Sequence, residues 1–231
     1  MLNKITVAFQ WRWQRLTQDT LFDLRHGLQT RQVEEAYLND IKSDYRQYCE
    51  PYQASRWRLF NKMLKALPID YAKYTFYDAG CGKGRALLFS SKFKFKKAIG
   101  VEISADLLKL AQTNIDKYLT QNSLYYEIEL VNDNVLNHTI PDQPLVVFLY
   151  NPFNGLVLSQ FIEKLAAQHK ENGQPLFLVY MVPACREIIE NQGNFRLYQT
   201  VSGSCIYEFN KQAFNTNLNQ AHSDNVYRNA S

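Results

Sequence analysis

An α/β fold built on a mostly parallel sheet is predicted by three features of this chain. Short continuous apolar runs, at residues 145–150 and 176–182, read as strands buried on both faces. Stretches with helical spacing of apolar residues separate them. A third run, Phe76-Tyr77-Asp78, ends in an acid and passes through Ala79-Gly80-Cys81-Gly82-Lys83-Gly84 into the apolar stretch 85–89. Glycines at alternate positions let a backbone turn tightly and approach a partner that a Cβ would exclude. A helix start beyond them turns free N–H groups and the positive end of a dipole toward the same point.

The elements follow in order. Pro51-Tyr52-Gln53-Ala54-Ser55 leads into a helix marked by Trp57, Phe60, Met63, Leu64 and Leu67 at helical spacing. A strand over 76–79 and a helix over 85–91 flank the glycine turn. A strand over 97–102, a helix over 105–119, and strands over 125–131 and 145–150 come next. A helix over 156–170 leads to a strand over 176–182, and a helix near 184–191 follows. Residues 195–201 and 205–209 alternate in polarity around Ser202-Gly203-Ser204, which predicts an antiparallel hairpin at the sheet edge.

The glycine turn admits three ligand readings. A dinucleotide fingerprint, G-x-G-x-x-G, needs a glycine where Arg85 stands. A phosphate-binding P-loop needs Ser or Thr after Lys83, where Gly84 stands. The pattern acid-x-G-x-G-x-G is satisfied by Asp78, Gly80, Gly82 and Gly84. A turn that holds no ligand is the fourth possibility. A second acid, Glu102, closes the next strand 22 residues after Gly80. A carboxylate at that separation is placed to accept two ribose hydroxyls. A third, Asp133, follows the strand after that with Asn134 beside it, either as a ligand contact or as an Asx turn.

These motifs resemble the class I S-adenosylmethionine-dependent methyltransferases, over roughly residues 20 to 210. The resemblance is carried by Phe22 through Thr30, Glu50-Pro51-Tyr52, Asp78 through Arg85, Gly100-Val101-Glu102 and Asn151-Pro152-Phe153. It implies a Rossmann-like seven-stranded sheet with a C-terminal antiparallel hairpin. It implies S-adenosylmethionine as cofactor, held by Tyr52, Ser55, Asp78, Gly80, Cys81, Gly82, Gly84, Glu102, Ile103, Asp133, Asn134 and Asn151. Asn151-Pro152-Phe153 is similar to the [DNS]-P-P-[YF] signature of enzymes that methylate amino or amide nitrogen, and these three are the expected catalytic residues. There the amide and proline carbonyls accept the N–H groups of the acceptor and turn its lone pair toward the methyl group. The second proline is missing here, and Phe153 moves up one place. His26 is a lesser candidate, as a base, against a surface or capping role.

The division expected is an N-terminal helical extension over 1–55, a cofactor-binding domain over 56–210, and a disordered tail over 211–231, rich in Asn, Gln and Ser. The extension holds many aromatic residues and is expected to close over the site as a lid, or to pad one face of the sheet. Apolar residues make up 46% of the 231, enough for a sizeable core, with no run long enough to cross a membrane. Gln10, Arg12, Gln14 and Arg15 interrupt any signal-like apolar stretch. Cys49, Cys81, Cys185 and Cys205 are scattered, which argues against a zinc site or disulfide framework and suits reduced thiols in a cytoplasm. The net charge of +4 is modest. Its dense part is Lys92-Phe93-Lys94-Phe95-Lys96-Lys97, a solvated loop or a nucleic-acid contact. Two functions therefore compete: a methyltransferase acting on an unidentified nitrogen acceptor (protein, small molecule or RNA), or a binding module of the same fold that does no chemistry.

Overall fold

A computed structural model describes residues 21–31, 41, 46–50 and 52–210. Much of the expected helical extension over 1–55 and all of the expected tail over 211–231 lie outside the described residues. Residues 21–26 are helical. Then come α1 (Trp57–Lys65), β1 (Thr75–Ala79), α2 (Arg85–Ser90), β2 (Lys97–Glu102), α3 (Ala105–Gln121), β3 (Ile128–Asn132) and β4 (Leu145–Leu149). After them lie α4 (Gly155–Asn172), β5 (Leu176–Tyr180), α5 (Arg186–Gln192), β6 (Phe195–Val201) and β7 (Ser204–Phe209).

The seven strands form one sheet in the order β3-β2-β1-β4-β5-β7-β6. Strands β1 to β5 run parallel, and β7 enters antiparallel between β5 and β6. The chain reverses its direction of travel across the sheet between β1 and β4. In open α/β sheets that reversal opens a crevice at the carboxyl ends of the strands, where ligands sit. Tight pairing brings the tips together: Asp78 lies across from both Gly100 and Phe148, and Glu102 across from Asn132.

Alternation along β1 divides the core. Tyr77 and Ala79 face one layer, which includes Phe161, Ile162 and Leu165 of α4. Phe76 faces the other, with Phe60 of α1 and Leu87 and Phe89 of α2. Phe60 is fully buried and lies 5.2–5.8 Å, ring centre to ring centre, from Phe76, Phe89 and Phe148. Helix ends follow local chemistry. Ser104 accepts the Leu107 N–H and Asn154 the Leu156 N–H, while left-handed Gly173 and Gly193 close α4 and α5.

The C-terminal hairpin turns on Ser202 and Gly203, both with positive φ, between the paired Val201 and Ser204. That is the two-residue turn whose twist matches flanking strands. The third strand differs from expectation. It starts at Ile128 rather than 125, because Ser123, in a left-handed conformation, redirects the chain after α3. Tyr126 is instead held by its hydroxyl, 3.2 Å from that of Ser90.

Replacing Phe60 with Ala removes the ring on which five other aromatic residues converge among the described residues. The expected cost is about 3–5 kcal/mol of stability, as for other buried Phe truncations. Urea unfolding checks it, with a lower midpoint and an unchanged slope.

Candidate cofactor and acceptor cleft

The cleft opens at the carboxyl ends of β1, β2 and β4, with about 1140 Å³ of empty space including its open mouth. The glycine turn forms its floor. Gly80, Gly82 and Gly84 have φ of 76°, 53° and 79°, a region that other residues enter only under strain. Their missing Cβ atoms are also replaced by neighbours. A Cβ on Gly80 would stand 2.3 Å from Cβ of Pro152, and one on Gly82 would stand 2.4 Å from the Tyr52 ring. One on Gly84 would stand 3.2 Å from Ala111. The turn is therefore glycine-rich because the chain packs against it, in addition to any ligand that approaches it.

The turn is fixed by its own hydrogen bonds. The N–H groups of Gly80 and Cys81 both donate to the Val101 carbonyl, at 2.9 and 3.1 Å. Gly82 donates to Oε2 of Glu102 at 2.9 Å, and Ser104 donates to Oε1 of the same carboxylate at 3.0 Å. Glu102 is thus locked at the tip of β2, only 7% exposed, with further lone pairs on both oxygens. Asn132 clamps the next residues, donating to the carbonyls of Glu102 and Ile103.

Asp78 is different. It is 3% exposed, and no donor among the described residues reaches its carboxylate. Burial first, and the charge of Glu102 second, hold its carboxyl well above the usual range. An acid buried at a cleft wall without a donor is suited to a cationic or N–H-bearing ligand. Cys81 has its thiol pushed up by burial and then by Asp78 and Glu102, so it is an inert wall rather than a nucleophile.

Of the residues expected to hold a cofactor, Tyr52, Ser55, Asp78, Gly80, Cys81 and Gly82 all line this one cleft. So do Glu102, Ile103, Asp133, Asn134 and Asn151. Gly84 stands behind the wall, capping α2 against Ala111. The Asx turn expected as the alternative for Asp133 is made by its neighbour: Oδ1 of Asn134 accepts the Leu136 N–H at 2.9 Å, while Oδ1 of Asp133 accepts the Asn134 N–H at 2.7 Å. His26 packs between Phe22 and Tyr118, and the cleft is lined without it. Burial and the neighbouring Arg25 and Lys92 lower its pKa.

Asn151, Pro152 and Phe153 line the mouth, but each is already engaged. Asn151 has a φ of 46°. Its amide donates to the Val182 carbonyl at 2.8 Å, and its Oδ1 accepts the Ala184 N–H at 3.0 Å. The Pro152 carbonyl accepts the Glu50 N–H at 3.3 Å. Phe153 turns an edge to Phe161 of the core at 5.8 Å. Each carbonyl keeps one lone pair for a further donor.

A strap that sequence reasoning did not anticipate covers this loop. Cys49 forms an antiparallel bridge with Phe153, and Asn154 donates its N–H to the Tyr48 carbonyl at 2.9 Å. This places Tyr48, Cys49 and Glu50 on the rim. Such a contact, about a hundred residues apart in sequence, carries no local signal. Burial, then Glu102 and Glu50, push the Cys49 thiol up to about 11. Among the described charged side chains of the cleft wall, Glu50, Asp78, Glu102 and Asp133 are acids and Arg85 is the sole base.

The basic run reads as structure. Lys92 sits 4.7 Å over the Trp57 ring, and Lys97 pairs with Glu129 at 2.9 Å. Lys97 also begins β2, so it lies at the amino end of the strands, about 17 Å from the cleft at a strand's rise per residue.

No family model matches the chain. A protein-lysine N-methyltransferase of Saccharolobus islandicus (strain REY15A) is 28% identical over 117 residues, covering 50% of this chain and 70% of that protein. Among solved structures, a predicted N6-adenine-specific DNA methylase from Listeria monocytogenes shares the fold with a TM-score of 0.50. It is 11% identical and covers 67% of this chain and 51% of its own. An RNA methyltransferase from Salinibacter ruber, in complex with S-adenosyl-L-homocysteine, aligns with a TM-score of 0.45 at 18% identity, covering 66% and 89%.

The unusual state of Asp78 has a consequence for stability. Its folded pKa is raised, so the folded chain retains a proton that the unfolded chain has lost. Stability therefore falls as pH rises from the unfolded value of 3.8 through the higher folded value. Asp78→Asn, which cannot ionise, is expected to melt above the parent at pH 8, by about 0.5–2 kcal/mol in stability. The gain should shrink toward pH 4. Thermal unfolding of both proteins across that range is the check.

Proposed function

We propose that this chain, a class I S-adenosylmethionine-dependent methyltransferase by its fold and its sequence relative, methylates the primary amine of a lysine-type acceptor. The observation that carries the reading is the charge of the cleft. Among the described residues four acids face it, Asp78 the hardest of them to ionise, against one guanidinium that is already paired with Asp23. Such a wall attracts a cationic cofactor and an ammonium-bearing acceptor, and repels a phosphate backbone. The relative from Saccharolobus, a protein-lysine N-methyltransferase, supports the same acceptor class.

The residues present fit the cofactor. Glu102 is preset for two hydroxyls, no donor among the described residues reaches Asp78, and Asp133 with Asn134 stands at the next strand tip for an adenine. Tyr52, Ser55, Gly80, Cys81, Gly82 and Ile103 form the walls, with Gly84 shaping the turn. When bound, S-adenosylmethionine supplies a methyl group already activated on a sulfonium. The protein's task is then to position and desolvate. The acidic rim, with Glu50 on it, draws the ammonium in from water. The drier interior favours the neutral amine, whose lone pair is the nucleophile. The remaining lone pairs of the Asn151 and Pro152 carbonyls accept its N–H groups and aim it.

Residues 47–50, bridged to 152–154, form the hinged part of a lid over this mouth. Closure excludes water and holds the acceptor in line. The four free cysteines and the lack of any membrane-spanning helix among the described residues suit a cytoplasmic enzyme. A non-catalytic RNA-binding module of the same fold is the weaker reading, because the basic run leads into the amino end of β2, away from the cleft.

Purified protein with labelled S-adenosylmethionine is expected to label lysine side chains of lysate proteins. Asn151→Ala should abolish labelling. Glu50→Gln should raise the acceptor KM several-fold, with the cofactor KM unchanged. Labelling of RNA alone, or none at all, would overturn the acceptor assignment. For the lid, limited proteolysis is the test. Cleavage around residues 46–55 should slow when S-adenosylhomocysteine is added, and unchanged cleavage would reduce the strap to padding.

A further inference from the structure

Arg85 is among the largest fully buried side chains, at 1% exposure, and it opens α2. The positive end of the helix dipole is a poor place for a guanidinium. Burial without a counter-charge would add several kcal/mol to that cost. The counter-charge comes from the segment before the first strand. Asp23 Oδ1 lies 3.5 Å from the Arg85 guanidinium. Thr30 joins the two: its hydroxyl donates to Asp23 Oδ1 at 2.6 Å and accepts from Arg85 at 3.1 Å. The Thr30 N–H donates to the other Asp23 oxygen at 2.9 Å. The rings of Phe22 and Phe89 lie 5.1 and 5.5 Å from the guanidinium and close the sides.

This cluster ends on the cofactor turn. The Tyr52 hydroxyl donates to the Thr30 carbonyl at 2.7 Å, and the Tyr52 ring fills the space of the missing Gly82 Cβ. A second clamp grips the same turn. Asn114 accepts the Gln29 N–H at 2.9 Å and donates to the Lys83 carbonyl at 3.1 Å. Lys117 holds the start of the segment through the Gly27 carbonyl at 2.7 Å. Residues 23–30 are thus strung between α3 and the glycine turn, with Tyr52 as the piece that meets the cleft.

We infer that Asp23, Thr30 and Arg85 are positioning residues that hold Tyr52 against Gly82 and thereby set the affinity for the cofactor. The inference rests on the methyltransferase reading, but it concerns residues that need not touch cofactor or acceptor themselves. The Tyr52 ring is a wall of the cleft whose place is fixed by one hydrogen bond, to a carbonyl that Asp23 orients through Thr30. Loosening any link lets the ring leave the turn. The cofactor then meets a site that must first be ordered.

Calorimetric titration with S-adenosylhomocysteine tests this without turnover. Tyr52→Phe keeps the ring and removes the link, and Asp23→Asn weakens the cluster at its base. Each is expected to bind roughly tenfold more weakly than the parent. The double variant should bind no more weakly than the worse single one, because both act through one connection. Tyr52→Trp, which keeps a ring with no hydroxyl, should not rescue. Unchanged affinity in Asp23→Asn with a lowered melting temperature would overturn the inference and leave the cluster merely structural. Strictly additive losses would also overturn it, since Asp23 would then act apart from Tyr52. If Asp23→Asn does not fold, Tyr52→Phe against Thr30→Val forms the same cycle. A parent protein that binds no S-adenosylhomocysteine would instead refute the methyltransferase reading itself.

Discussion

Close contact between the glycine turn and its neighbours is the constraint on which the rest of the structure depends. Pro152 sits in the space of one absent Cβ and Tyr52 in that of another. The first contact joins the floor of the cleft to the loop expected to present the acceptor. The second joins it to the N-terminal segment. A side chain at either glycine would push one of these walls away. The cofactor floor, the acceptor loop and the strap over them therefore form one packed unit, although they come from three distant stretches of chain.

The cleft is also costly, and the cost has a direction. Asp78 and Glu102 are buried close enough for each to oppose the other's charge, and among the described residues backbone donors offset it at Glu102 and not at Asp78. A chain selected for stability alone would place an amide or an apolar residue at 78. A buried acid that no described donor reaches is suited to a cationic ligand. Arg85 shows the opposite solution. Its charge is buried just as deeply, but Asp23 and Thr30 engage it within the protein, so it serves architecture rather than binding.

Much of this was legible in the sequence where the signal is local. The glycine spacing, the acids at Asp78 and Glu102 and the apolar run before Asn151 located three strand tips, and parallel pairing brought them together. The Ser202-Gly203 turn announced the hairpin. What stayed hidden was tertiary. Arg85 looked only like a residue that spoils a dinucleotide motif, because its partners Asp23 and Thr30 lie 55 residues or more upstream. The bridge from Cys49 to Phe153 leaves no periodic trace. Asn151 was read as a group free to meet an acceptor, and its grip on the 182–184 backbone depends on a loop that no motif describes. The start of β3 was misjudged for a local reason: two tyrosines favour a strand, but the left-handed Ser123 turns the chain first.

The most direct measurement of the central claim, an acidic cleft that awaits a cationic cofactor, is the proton balance of S-adenosylmethionine binding. Calorimetry in buffers of different ionisation enthalpy gives it. A cation arriving beside Asp78 favours its ionised form, so binding should release protons over the pH range in which Asp78 titrates. The release should vanish in Asp78→Asn. Binding with no proton release in the parent, or the same release in the variant, would contradict the account.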